Sequence, residues 1–144
     1  FCSMKFRYAG LLVAIAGFAL LYTFNRSALE FVAQESFALN PVGNSGWECS
    51  SILKLHNPNL LSATLVSIEE AYRINGTEIA ILNHEMNQTL PGQKTSRFPV
   101  SVRFARGDIP FDSIALLSVT GKVHYRSMFR EGNLTIQIDT AIKL

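Results

Sequence analysis

The chain has 144 residues, 48% of them hydrophobic and 17% charged, with a formal net charge of +2. A soluble domain ordinarily carries about 25% charged residues, so charge is scarce here, and the length suits one domain of roughly 100–150 residues rather than two. Lys5, Arg7 and Arg26 give residues 1–27 a charge of +3 with no acid, while residues 28–144 set ten Lys/Arg against eleven Asp/Glu. That nearly neutral body lacks the basic stripe that nucleic-acid binding requires. Two cysteines cannot build a disulfide framework or a multi-Cys zinc site.

The first element is apolar. Tyr8 to Phe24 reads YAGLLVAIAGFALLYTF, seventeen residues without a charge. At about 1.5 Å per residue such a helix spans roughly 25 Å, close to a hydrocarbon core of about 30 Å. Lys5 and Arg7 can snorkel at one end, and Tyr8 and Tyr22 suit the two membrane interfaces. Met4-Lys5-Phe6-Arg7 reads as a bacterial-type start. A cleaved signal peptide is the rival reading, but bulky Tyr22-Thr23-Phe24 replaces the small-residue cleavage site such a peptide needs. Residues 1–27 are therefore expected to be a tail and an uncleaved single transmembrane helix, with residues 28–144 as the domain it anchors. Flanking charge places the N-terminus in the cytoplasm and the domain on the periplasmic or extracytoplasmic side. Gly10, Ala14 and Gly17 share one helical face, where small side chains let a neighbouring membrane helix approach.

Alternation of period two dominates the rest, as strands with one buried and one wet face require. The inward sets read Phe31, Ala33, Phe37, Leu39; Trp47, Cys49, Leu53, Leu55; Val66, Ile68, Tyr72, Ile74; Phe98, Val100, Val102, Phe104; Val123, Tyr125, Phe129; and Leu134, Ile136, Ile138, Ile142, Leu144. Turn residues separate them at Asn40-Pro41 through Gly46, Asn57-Pro58-Asn59, Asn75-Gly76, Pro91-Gly92, Arg106-Gly107-Asp108 and Glu131-Gly132-Asn133. Ile109 to Val119 fits a short helix, with Asp112 or Ser113 as its cap. The prediction is all-β: an immunoglobulin- or fibronectin-like antiparallel β-sandwich of about seven strands and one short helix, preceded by a single transmembrane helix.

No constellation carries chemistry. His56, His84 and His124 have no partner ligand at metal-binding spacing, and His84-Glu85 lacks the second His of a zincin motif, so no metal is expected. Cys49 falls on an inward face as a small buried hydrophobe, while Cys2 lies near the membrane, where palmitoylation is conceivable. Ser113 lacks the flanking glycines of a nucleophile elbow. Glu69 and Glu70 are adjacent, hence on opposite strand faces; Glu70 shares the apolar face and is expected at an exposed strand end or paired with an Arg. Arg106-Gly107-Asp108 is read as a turn rather than an adhesion signal, and Asn25, Asn75, Asn87 and Asn133 begin chance glycosylation triplets. Phosphate and dinucleotide loops are absent from the sequence, so neither cofactor nor small-molecule substrate is expected.

The run from an apolar strand through Asn57-Pro58-Asn59 to Tyr72-Arg73-Ile74-Asn75-Gly76-Thr77-Glu78-Ile79 resembles the LEA type 2 (late embryogenesis abundant, type 2) family, also called the water stress and hypersensitive response domain. Leu90 to Ser96, the alternating strand from Phe98, and Gly121-Lys122-Val123-His124-Tyr125 before an Ile-rich last strand extend the likeness over roughly residues 29–144. The resemblance implies a β-sandwich without catalytic residues, often behind a membrane anchor, and in plant members a link to desiccation stress. Together these readings predict a non-catalytic, single-pass membrane protein, an accessory or assembly subunit whose partners are integral membrane subunits and the bilayer. The alternative is a stress protector acting by weak, non-stoichiometric contacts.

Overall fold

The computed structural model describes residues 2–105 and 114–143, with side chains in the N-terminal helix described from Gly10 onward. Helix α1 spans Cys2–Asn25. Seven strands follow: β1 Glu30–Val42, β2 Gly46–His56, β3 Ala63–Ile74, β4 Thr77–Leu90, β5 Thr95–Ala105, β6 Ile114–Arg126 and β7 Glu131–Lys143. All pairings are antiparallel, in a three-stranded sheet ordered β1-β2-β5 and a four-stranded sheet ordered β4-β3-β6-β7. The architecture is a β-sandwich, as the alternation predicts.

Strand β5 shows the alternation most cleanly, with Phe98, Val100, Val102 and Phe104 buried and the residues between them pointing outward. Asn75 and Gly76 form the two-residue β3–β4 turn with φ of 49° and 83°. Both central residues of such a turn need positive φ, which Asn tolerates and Gly adopts freely.

Three expectations are corrected. The helix over Ile109 to Val119 is not formed where it is described, because Ile114 to Val119 open β6 and pair with β7. Ala115, Leu117 and Val119 are buried while Ile114 and Leu116 are exposed, so apolar residues on both faces hide the period of two. In β3, the bulge between Leu65 and Ser67 turns Leu65, rather than Val66, toward the core. Phe129 lies outside the strands, in the β6–β7 loop. The Arg106-Gly107-Asp108 turn, the caps Asp112 and Ser113, and Leu144 lie outside the described residues, as do the side chains of Cys2, Lys5, Arg7 and Tyr8.

The core falls into two apolar clusters. One, toward α1, gathers residues such as Leu29, Leu55, Leu65, Phe98 and Tyr125. The other, toward the β1–β2 and β3–β4 turns, gathers Tyr72, Ile74, Phe104, Leu117 and Ile142, with Trp47 packed on its rim. None of the described side chains of α1 contributes to either. Leu11, Leu12, Val13, Ile15, Phe18 and Leu20 are exposed along it. Among the described residues no helix is long and apolar enough to cross a membrane, so the expected span is met here as a helix and no further.

Candidate functional site

Two places concentrate polar side chains that burial makes costly: the joint between α1 and the sandwich, and a layer between the two core clusters.

At the joint, α1 ends on Asn25, which is buried. The last carbonyls of a helix lack intrahelical donors, and the Asn57-Pro58-Asn59 turn supplies part of what is missing. Leu60 N–H donates to the Phe24 carbonyl (3.1 Å), and Leu61 N–H donates to Asn25 Oδ1 (2.8 Å). Asn59 clasps the next residue pair reciprocally: Ser27 N–H donates to Asn59 Oδ1 (2.9 Å), and Asn59 Nδ2 donates to the Ser27 carbonyl (3.0 Å). Asn57 holds the turn in shape. Its Oδ1 accepts from Asn59 N–H and from Asn59 Nδ2, both at 3.0 Å, and its Nδ2 donates to the carbonyls of Leu61 and Leu90. Asn57 and Asn59 are both fully buried, and every one of these bonds replaces water that a buried amide has lost. Gly92 leaves room for this packing, since a Cβ there would run into the Leu60 carbonyl.

Aromatic contacts reinforce the seat. Phe129 meets Phe18 and Tyr22 edge-on, at centroid distances of 5.7 and 5.4 Å, a favoured arrangement of ring quadrupoles. Arg26 lies 5.7 Å over the Tyr22 ring, and Arg130 Nη1 donates to the Arg26 carbonyl (3.5 Å). The helix is therefore fixed to the sandwich by contacts from two separate loops, with no free linker between them. The Asn57-Pro58-Asn59 turn and Tyr22, an expected interface anchor that packs against Phe129 and Arg26, lie at the α1 end of the molecule. Asn75 and Gly76 sit at the opposite end. There Asn75 N–H donates to the Leu116 carbonyl and Leu116 N–H to Asn75 Oδ1, both at 2.9 Å. Gly10 and Gly17 have open space where a Cβ would stand, so the face they share with exposed Ala14 is uncovered.

Between the core clusters lies the polar layer. Glu70 is 2% exposed, which corrects the expectation of an exposed strand end or an Arg partner. Its Oε1 accepts from Tyr72 OH (2.9 Å) and Gln34 Nε2 (3.2 Å), and Gln34 Nε2 also donates to Ser51 Oγ (2.9 Å). Glu70 Oε2 and Gln34 Oε1 have no hydrogen-bond partner among the described residues. Burial pushes the Glu70 carboxyl above its usual range, although the Tyr72 and Gln34 bonds pull the other way. The Cys49 thiol is pushed up to about 11 by burial and then by the Glu70 charge, and Tyr72 is raised for the same two reasons. Sealed between sheets, these groups favour a neutral acid over a charged one. Sequence reasoning placed Glu70 on the correct face but missed Gln34, which the β1 bulges bring inward.

The histidines are dispersed. His56 meets Thr95 Oγ1 (3.0 Å), His124 meets Asn133 and Glu131, and His84 is exposed. Among the described residues no three metal-ligating side chains come together. The two open seams of the sandwich leave grooves of about 600 Å³ between β1 and β7 and about 260 Å³ between β4 and β5.

No protein-family model matches the chain, and no curated protein matches it. Solved structures do. A protein from Archaeoglobus fulgidus superposes with a TM-score of 0.60 at 11% identity, covering 80% of this chain and 98% of that one. A structural genomics target solved by X-ray methods gives 0.55 at 12% identity, covering 81% and 86%. A protein assigned as ApaA from Bordetella pertussis gives 0.51 at 11% identity, covering 81% and 94%. At these identities the likeness is one of fold: this chain shares its β-sandwich with them.

Proposed function

We propose that this is a membrane-anchored, non-catalytic β-sandwich protein that serves as an accessory or assembly subunit of a larger membrane complex. The observation that carries the reading is α1 itself. A helix stretch that is apolar all round is stable only inside a protein core or in a membrane, and the described side chains of α1 from Leu11 to Leu20 are exposed, with the sandwich meeting the helix at Phe18, Tyr22 and its end. Its uncharged run, Tyr8 to Phe24, extends about 25 Å at 1.5 Å per residue, close to a hydrocarbon core of about 30 Å. The uneven flanking charge favours a cytoplasmic N-terminus and an extracytoplasmic sandwich. The open Gly10–Ala14–Gly17 face suits close packing against an integral membrane subunit.

Family membership belongs to the same proposal. The order of Asn57-Pro58-Asn59, Tyr72 and Asn75-Gly76 supports LEA type 2, and the strand orders β1-β2-β5 and β4-β3-β6-β7 support an immunoglobulin- or fibronectin-like topology. Stress protection by weak contacts is the outcome left if no stoichiometric partner exists. Gentle solubilisation of native membranes and affinity isolation test the reading. The expected result is stoichiometric co-migration with an integral membrane protein, lost in Gly17→Leu while the sandwich stays folded. A lone monomer, or a non-stoichiometric mixture, would refute the subunit role.

A further inference from the structure

If α1 spans the bilayer, its rigid seat fixes where the membrane surface must fall on the sandwich. The apolar run of α1 continues to Phe24, and the Phe24 carbonyl is already bonded to Leu60 N–H. No spacer separates the span from the domain, so the loops around Asn25 stand at the depth of the lipid headgroups. Those loops have an unusual surface. Leu60 is 49% exposed, Leu61 43% and Met128 56%, with Phe129 partly exposed beside them. They come from two loops that converge on one helix end.

Charge at this end points the same way. Segments 26–29, 57–62, 91–94 and 127–130 carry Arg26, Lys94 and Arg130 and no acidic residue. All three basic side chains are exposed. Two exposed acids border the ring: Glu131, which opens β7 and is engaged by His124 and Arg126, and Glu30 at the start of β1. Apolar side chains encircled by arginine and lysine are what an interfacial surface presents to acyl chains and lipid phosphates.

We propose that this end of the sandwich is a lipid-binding collar. Leu60, Leu61, Met128 and Phe129 enter the headgroup–acyl boundary of an anionic bilayer, and Arg26, Lys94 and Arg130 bind its phosphates. The collar holds the sandwich upright against the membrane and points the Asn75-Gly76 end away from it. The inference rests on the anchor reading and extends it from the helix to the domain.

Depth-dependent quenching tests both separately. The full chain in a Cys2→Ser background, with Cys49 buried, is reconstituted into vesicles of phosphatidylcholine and phosphatidylglycerol containing nitroxide-labelled lipid. A fluorophore is placed in turn at Leu61→Cys, Met128→Cys, Val13→Cys in the helix, and Asn44→Cys in the distant β1–β2 turn. The proposal expects strong quenching at 13, clear quenching by shallow nitroxides at 61 and 128, and none at 44. Quenching at 13 with positions 61 and 128 as dark to lipid as 44 would overturn the collar and leave the anchor standing. No quenching at 13 would overturn both.

Discussion

Glu70 occupies a position where its sequence neighbours Ile68 and Tyr72 face the core, and the backbone gives it no other direction. A carboxylate there loses water and gains only two donors, both on Oε1. Its folded-state pKa is therefore raised, so the native state binds its proton more tightly than the unfolded chain does. Stability then falls as pH rises above the ordinary carboxylate value of 4.5, and the loss is complete once the raised folded value is passed. Glu70→Gln removes this dependence, and its amide can donate toward Gln34 Oε1, which lacks a partner. Thermal melts should show the variant gaining on the wild type from pH 4 to pH 8. A Tm difference that does not change with pH would contradict a neutral buried acid.

Asn57 and Asn59 carry a different lesson. A sequence reading sees an Asn-Pro-Asn turn, because Pro fixes φ and Asn accepts turn geometry. It does not see that Asn59 clasps Ser27, 32 residues earlier and just beyond the end of α1, since nothing local encodes that contact. One signal was available: two amides in a turn between apolar strands must satisfy several donors and acceptors if they are buried.

At the scale of elements, legibility follows how strictly each strand keeps its two faces distinct. Strand β5 alternates without exception and is read correctly from Phe98 to Phe104. Strand β6 begins with apolar residues on both faces, and its first half resembles a helix for that reason. Strands β1 and β3 carry bulges, which shift the inward set by one residue partway along. Such shifts depend on the paired strand, so they are invisible in either strand alone. Helix α1 is legible as a helix from its composition, but its seat on two loops is a tertiary fact.

That seat should be a measurable energetic unit. Asn59→Ala removes the donor and acceptor that clasp the part-buried Ser27 backbone, a loss of about 0.5–1.5 kcal/mol per bond. Hydrogen exchange should accelerate at Ser27, Leu60 and Leu61, while amides in β5 and β6 stay protected. Unchanged exchange at Ser27 would mean that the clasp does not hold the helix.

In the whole molecule, two features divide the apolar surface. The sandwich closes its core with its own side chains, split into two apolar clusters by one polar layer. Among the described residues, α1 leaves its apolar side chains from Leu11 to Leu20 exposed. The exposed apolar surface is thus concentrated in one element, and the proposed membrane anchor rests on that concentration. Under that proposal the bonded joint would orient the sandwich, with the far turns directed away from the helix.

Alkaline carbonate extraction of membranes from cells expressing the full chain addresses the anchor most directly. An anchored protein remains in the membrane pellet and is released only by detergent, which is the expected result. Release into the carbonate supernatant with peripheral proteins would contradict it.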